Sequence, residues 1–200
     1  RAHHRMVTLA QSSPGGRSAR ALQRKTATVM VGVTLVLAPA PPAGERDKDV
    51  AGWRVLGREL AGIGKVIAGE GLRFGWHNHH WEFQKLADGS FGMDLILGEA
   101  PDLLWEIDLA WVVRGGADPL TWLAKYAGRI PAVHIKDIAP AGQCDDEDGW
   151  ADVGHGTLDW TALLSAMRNA GVGLFVAEHD KPNDVGRFAR RTIATVATWN

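Results

Sequence analysis

Four times along this 200-residue chain an apolar run ends in groups that are costly to bury. His77-Asn78-His79-His80, followed by Trp81-Glu82-Phe83, closes one run. Glu106-Ile107-Asp108 closes the next. His134-Ile135-Lys136-Asp137 and Glu178-His179-Asp180 close the other two. Carboxylates and imidazoles that converge suit a divalent cation with mixed oxygen and nitrogen ligands, and the same groups can carry protons. Alternate residues of a strand share a face, so Glu106 and Asp108 point one way, as do His134 and Lys136. On this reading Asp108, His134 and Glu178 are metal ligands. The fourth ligand stays open. Glu82 is preferred, with His77 or His79 facing a substrate as proton carrier.

Each group has a plainer alternative. A lone Asp after a strand is more often a helix cap, and a lone His a satisfied core residue. Glu178 could simply pair with Lys136. His80 and His179 read as surrounding or surface groups, and Asp137 as a partner for a His or Lys. The site is favoured because the coincidence repeats at four strand ends.

The elements that must position these groups follow from periodicity. Residues 29–37 (VMVGVTLVL) form a β-branched run, expected for a parallel strand buried on both faces. Further strands are expected over 72–78, 103–109, 130–136 and 173–178. Helices are expected over 46–70, 91–100, 118–128, 160–169 and 184–198. The first of these carries Val50, Trp53, Leu56, Leu60, Ile63 and Ile67 at helical spacing and stops at Gly69 and Gly71. Asp118 and Pro119 make a helix start, and Asp159 another. Five strand-then-helix units imply a parallel sheet. In a parallel barrel the strand ends converge on one mouth. A doubly wound sheet fits the alternation too, but no glycine-rich phosphate loop follows a strand. Residues 1–27 show no period and are expected to be a disordered or non-native tail, leaving one domain over 28–200.

Composition bounds the partners. The net charge is −1 and the chain is 46% hydrophobic. Neither nucleic acid nor an anionic membrane has a bulk electrostatic reason to bind. No apolar run approaches the ~18 residues of a membrane helix. Cys144 is the single cysteine, which fits a reducing compartment, so the cytoplasm is expected. It sits in an acidic loop that disfavours a thiolate, so it is read as incidental. Nine tryptophans stand against one tyrosine. Most belong in a core, and some suit the C–H faces of a sugar.

These segments resemble the sugar phosphate isomerase/epimerase family. GLRFGWHNHHWEF (71–83) is similar to its HNH-x-x-EF segment. LLWEIDLAWVVRGGADP (103–119) is similar to its D-x-x-W and G-x-DP segment. IPAVHIKD (130–137) is similar to its H-x-K-D strand. VGHGTLDW (153–160) and FVAEHD (175–180) resemble its V-G-x-G-x-x-D-W and E-x-D segments. Asp108 and His134 are 26 positions apart, and His134 and Glu178 are 44 apart. The resemblance runs from about residue 29 to the C-terminus.

It implies an α/β fold of the (β/α)8 TIM-barrel type, xylose isomerase-like, here a partial barrel of about five βα units. It implies one divalent cation (Mn, Mg, Zn or Co) held by Glu82, Asp108, His134 and Glu178. It implies proton transfer through an enediolate on a small sugar, with Glu82, Glu178, His77 and His79 as catalytic candidates. Lys136, Trp111 and His155 are the substrate-binding candidates. His155 stands where the family often has Glu. Rival readings are an inosose dehydratase-like lyase on the same fold, a repair endonuclease, and a truncated, non-catalytic remnant. The endonuclease is disfavoured because the charge balance offers no basic groove. An open sheet edge would favour homo-oligomers.

Overall fold

The computed structural model describes residues 35–38 and 40–199. The expected 1–27 tail and most of the first expected strand lie outside the described residues. In chain order the elements are β1 (Leu35–Ala38), α1 (Val50–Gly69), β2 (Arg73–His77), α2 (Gly92–Glu99), β3 (Leu104–Asp108), α3 (Leu109–Arg114), α4 (Pro119–Lys125), β4 (Ala132–Ile135), β5 (Asp137–Ile138), β6 (Trp150–Ala151), α5 (Trp160–Asn169), β7 (Leu174–Ala177) and α6 (Val185–Val196). The expected strands and helices are present in the expected alternation. α3 and the antiparallel β5–β6 pair have no counterpart in the sequence reading, because a six-residue helix and two-residue strands are too short to print a period. Among the described residues, no helix is long and apolar enough to cross a membrane.

Residue contacts divide the chain into two compact units, with the division falling inside β3 after Glu106. In the first, β1 pairs parallel with β2, and β2 with the start of β3. The second register sets His77 beside Glu106. α1 starts at Asp49, whose carboxylate accepts from Gly52 N at 2.7 Å. It buries Trp53 and Leu60, each contributing roughly 2–3 kcal/mol of hydrophobic stabilisation. Gly57 lets α1 approach α2: a Cβ there would meet Glu99 Cβ at 2.8 Å and Ile96 O at 3.0 Å. Ile63, expected on the buried stripe, is 40% exposed instead.

In the second unit β4 pairs parallel with β7 from Ala132↔Leu174 to Ile135↔Ala177. Asp118, Asp159 and Asp184 cap α4, α5 and α6 through their carboxylates, as residues of that type should. The core gathers Ile107, Leu109, Val112, Leu123, Val133 and Met167, all fully buried.

Asp137 is fully buried, and its partner is neither a His nor a Lys, contrary to expectation. Its carboxylate accepts from Ile138 N, Gly154 N, Gly156 N, Leu158 N and Trp160 Nε1, at 2.7 to 3.2 Å. One side chain thus folds the whole V-G-x-G turn onto the end of β4. A Cβ on Gly156 would overlap the Asp137 carboxylate, so the second glycine of that turn is required by closeness alone.

Candidate functional site

In the second unit, Asp108 ends β3, His134 lies near the end of β4, and Glu178 directly follows β7. One ligand atom of each lies within 4.8 Å of the others. All three are buried, at 0%, 8% and 7% exposure. Glu178 Oε2 is 2.7 Å from His134 Nδ1 and 3.0 Å from Lys136 Nζ. Lys136 Nζ also lies 3.3 Å from Asp108 Oδ2 and donates to both oxygens of Asp180 at 2.9 Å. Asp108 Oδ1 accepts from Trp111 N at 2.9 Å, capping α3 and fixing the carboxylate.

Burial by itself would pull the Lys136 ammonium down and push the Glu178 carboxyl up. The charges outweigh burial at both. Asp108, Glu178 and Asp180 hold Lys136 above its ordinary value. His134 and Lys136 hold Glu178 well below its own. At Asp180 burial prevails over Lys136 and the net shift is upward. Lys136 and Glu178 are therefore both held in their charged forms in a low-dielectric place, which makes their charges strong actors on any bound polar molecule.

Trp111 and Trp150 stand edge to face, with ring centroids 4.8 Å apart. The Lys136 ammonium lies 5.0 and 4.7 Å from those centroids. Arg114 Cζ sits 3.2 Å from the Trp150 centroid, and Arg114 Nη2 donates to Asp148 O at 2.6 Å. His155 is exposed in the turn between β6 and α5, its backbone N–H donating to Asp152 O at 2.9 Å. Asp180 stands in the last of the strand-end clusters but is given no role by the sequence, and Trp150 is not singled out at all. Asp180 carries a signal, because it lies two positions past Glu178 on the same side of the chain. Trp150 carries none.

In the first unit, His77 ends β2 and its Nδ1 lies 3.2 Å from Glu106 Oε2. The His79 ring stacks on Trp81 at 4.4 Å. Glu82 is fully buried in the short turn after β2. Its Oε1 accepts from Trp76 Nε1 at 3.1 Å and its Oε2 from His79 N at 2.9 Å. Burial raises its pKa from 4.5 to about 8, against the pull of those donors.

That shift has a readable sign. The folded state holds the Glu82 proton more tightly than the unfolded state, so this stability is fully present below pH 4.5 and is lost as pH rises through about 8. The full shift is worth about 4–5 kcal/mol. Thermal melts of metal-free protein are expected to fall across this window, and the Glu82→Gln variant to show a flatter slope. Equal slopes in the two proteins would remove the assignment.

The chain matches the xylose isomerase-like TIM barrel family over residues 15–196 and belongs to that family. An inosose dehydratase 2 from Bacillus cereus is 36% identical over 87 residues, covering 43% of this chain and 28% of that protein. The match therefore spans under a third of this curated relative. A crystal structure of a sugar phosphate isomerase/epimerase from Parabacteroides distasonis superposes with a TM-score of 0.71 at 20% identity. It covers 98% of this chain and 72% of that one. The IolI protein, solved with a bound zinc atom, gives a TM-score of 0.63 at 17% identity, covering 84% of this chain and 63% of its own. The relatives are named as enzymes, and the structural likenesses show the fold.

Proposed function

We propose that the chain is a metal-dependent isomerase or epimerase that moves a proton on a small sugar or sugar derivative through an enediolate. The observation that carries this reading is the packing of Asp108, His134 and Glu178 ligand atoms within 4.8 Å at the ends of three parallel strands. Buried carboxylates with imidazoles fit a divalent cation of borderline softness, which favours Mn, Zn or Co over Mg.

The fourth donor stays open. In the first unit Glu82 holds the end of β2 through its hydrogen bonds with Trp76 Nε1 and His79 N, and His77 is backed by the Glu106 carboxylate, an arrangement that orients an imidazole and fixes its tautomer.

Bound there, the cation would stabilise the negative charge that develops on the substrate oxygens. Glu178, kept ionised by His134 and Lys136, takes the proton next to the carbonyl. The proton is then returned to another atom or to the other face of the sugar. Trp111 packs against the sugar's C–H faces, and His155 contacts its far end. The domain this proposal concerns is 28–200, and we place its activity in the cytoplasm on the strength of the single cysteine.

Metal content of unchelated protein tests the site. About one divalent cation per chain is expected, and Asp108→Asn or Glu178→Gln should weaken its binding by at least ~100-fold. Full occupancy in both variants would dismiss these ligands. The identity to an inosose dehydratase favours one second reading, a lyase that forms the same enolate and then expels water. Product mass separates the two, since only the lyase product is lighter by one water. No metal in the wild-type chain would leave the remnant reading.

A further inference from the structure

The Arg114 guanidinium, in the last turn of α3, is half-buried and has no carboxylate partner among the described residues. Its contacts are with rings and a carbonyl. Cζ sits 3.2 Å from the Trp150 centroid and 5.5 Å from that of Trp111, and Nη2 donates to Asp148 O at 2.6 Å. Nearby cations are paired. Lys181 Nζ lies 2.8 Å from Asp148 Oδ1, and Arg187 Nη2 binds both oxygens of Glu147 at 2.8 Å. Burial pulls the Arg114 guanidinium below its ordinary value. Taking a cation partly out of water costs free energy that an ion pair normally offsets, and here the pair is missing.

A structural job would use little of this side chain. Pinning Asp148 O takes one N–H of Nη2, and the Trp150 ring takes the flat face. The N–H groups on Nε and Nη1 have no acceptor among the described residues. Gly149, at φ +69°, leaves room beside the guanidinium, since a Cβ there would meet Nη2 at 3.3 Å. The same Trp150 ring has Lys136 Nζ 4.7 Å from its centroid, and Lys136 Nζ lies 3.0 Å from Glu178 Oε2. Arg114 therefore stands one indole ring away from the Lys136–Glu178 pair. The edges of a guanidinium match the oxygens of a phosphate or carboxylate two at a time.

We propose that Arg114 is a specificity-determining residue that holds an oxyanionic group of the substrate, a phosphate or carboxylate at the end of the carbon chain remote from the reacting carbonyl. The inference rests on the sugar reading given above. Trp150 holds the guanidinium by its face, so a free edge meets the anion. An anionic sugar supplies the missing partner, and a neutral one leaves the cation unpaired.

The test is calorimetric titration of the Mn-supplemented protein with xylitol, xylonate and xylitol 5-phosphate. Wild type should bind one of the two anions at least ~10-fold more tightly than xylitol. The tighter anion names the group, a carboxylate if it is xylonate and a phosphate if it is xylitol 5-phosphate. Arg114→Gln should cut that preference by ~10-fold and leave xylitol binding nearly unchanged. Arg114→Lys, which keeps the charge and loses the fork, should retain part of the preference. A merely structural Arg114 would weaken all three probes together and leave their ratios unmoved, which would overturn its assignment. Wild type that binds xylitol and shows no preference for either anion would overturn the proposal with no variant needed, and would leave the sugar reading standing. Binding of none of the three to wild type would sink the sugar reading itself and this inference with it.

Discussion

Asp137→Ala is expected to lower the melting temperature by ~10 °C or more, with a loss of about 3–5 kcal/mol. The side chain is fully buried and accepts from four backbone N–H groups and one indole N–H. Hydrogen bonds to a charged acceptor are each worth roughly 1.5–3 kcal/mol, and the contributions do not add when they share one carboxylate. The larger effect is what deletion leaves behind: donors with no acceptor in a place that water reaches poorly. Asp137→Asn should fall between wild type and Ala, because its amide keeps one acceptor oxygen and turns N–H groups toward other donors. Scanning calorimetry of the three proteins checks the order. An alanine variant that melts with wild type would mean that Gly154, Gly156 and Trp160 hold their turn without it.

The second large effect belongs to Lys136. Lys136→Met keeps the length of the stem and removes the ammonium, leaving Asp108, Glu178 and Asp180 without their shared counter-charge. Breaking a buried ion cluster from one side costs about 3–5 kcal/mol. That cost is the metal-free one. A divalent cation at the proposed site would supply the missing charge, and a ligand that binds only the folded state stabilises it in proportion to its occupancy. Saturating Mn should therefore raise the melting temperature of Lys136→Met more than that of wild type. Calorimetry with and without Mn reads both. An identical rise in the two proteins would separate Lys136 from the metal site.

Much of the fold is legible in local pattern. β-branched runs mark the parallel strands, and Asp49, Asp118, Asp159 and Asp184 cap helices as such residues do. The convergence of Asp108, His134 and Glu178 is also legible, because polar groups at successive ends of apolar strands are improbable without a use. These features depend on spacing along the chain, which periodicity records. What periodicity cannot record is which atoms face which across 20 to 70 residues. By type Asp137 suits a charged side chain as partner, and instead it holds a backbone turn. Lys136 reads as a donor for substrate and is enclosed by three carboxylates. Glu82 is a carboxylate just past a strand, and which donors its oxygens meet, Trp76 Nε1 and His79 N, is set by packing. In each case residue type shows what a group is able to bind, while burial and the competition among nearby donors select one partner, and both arise only when the chain has packed.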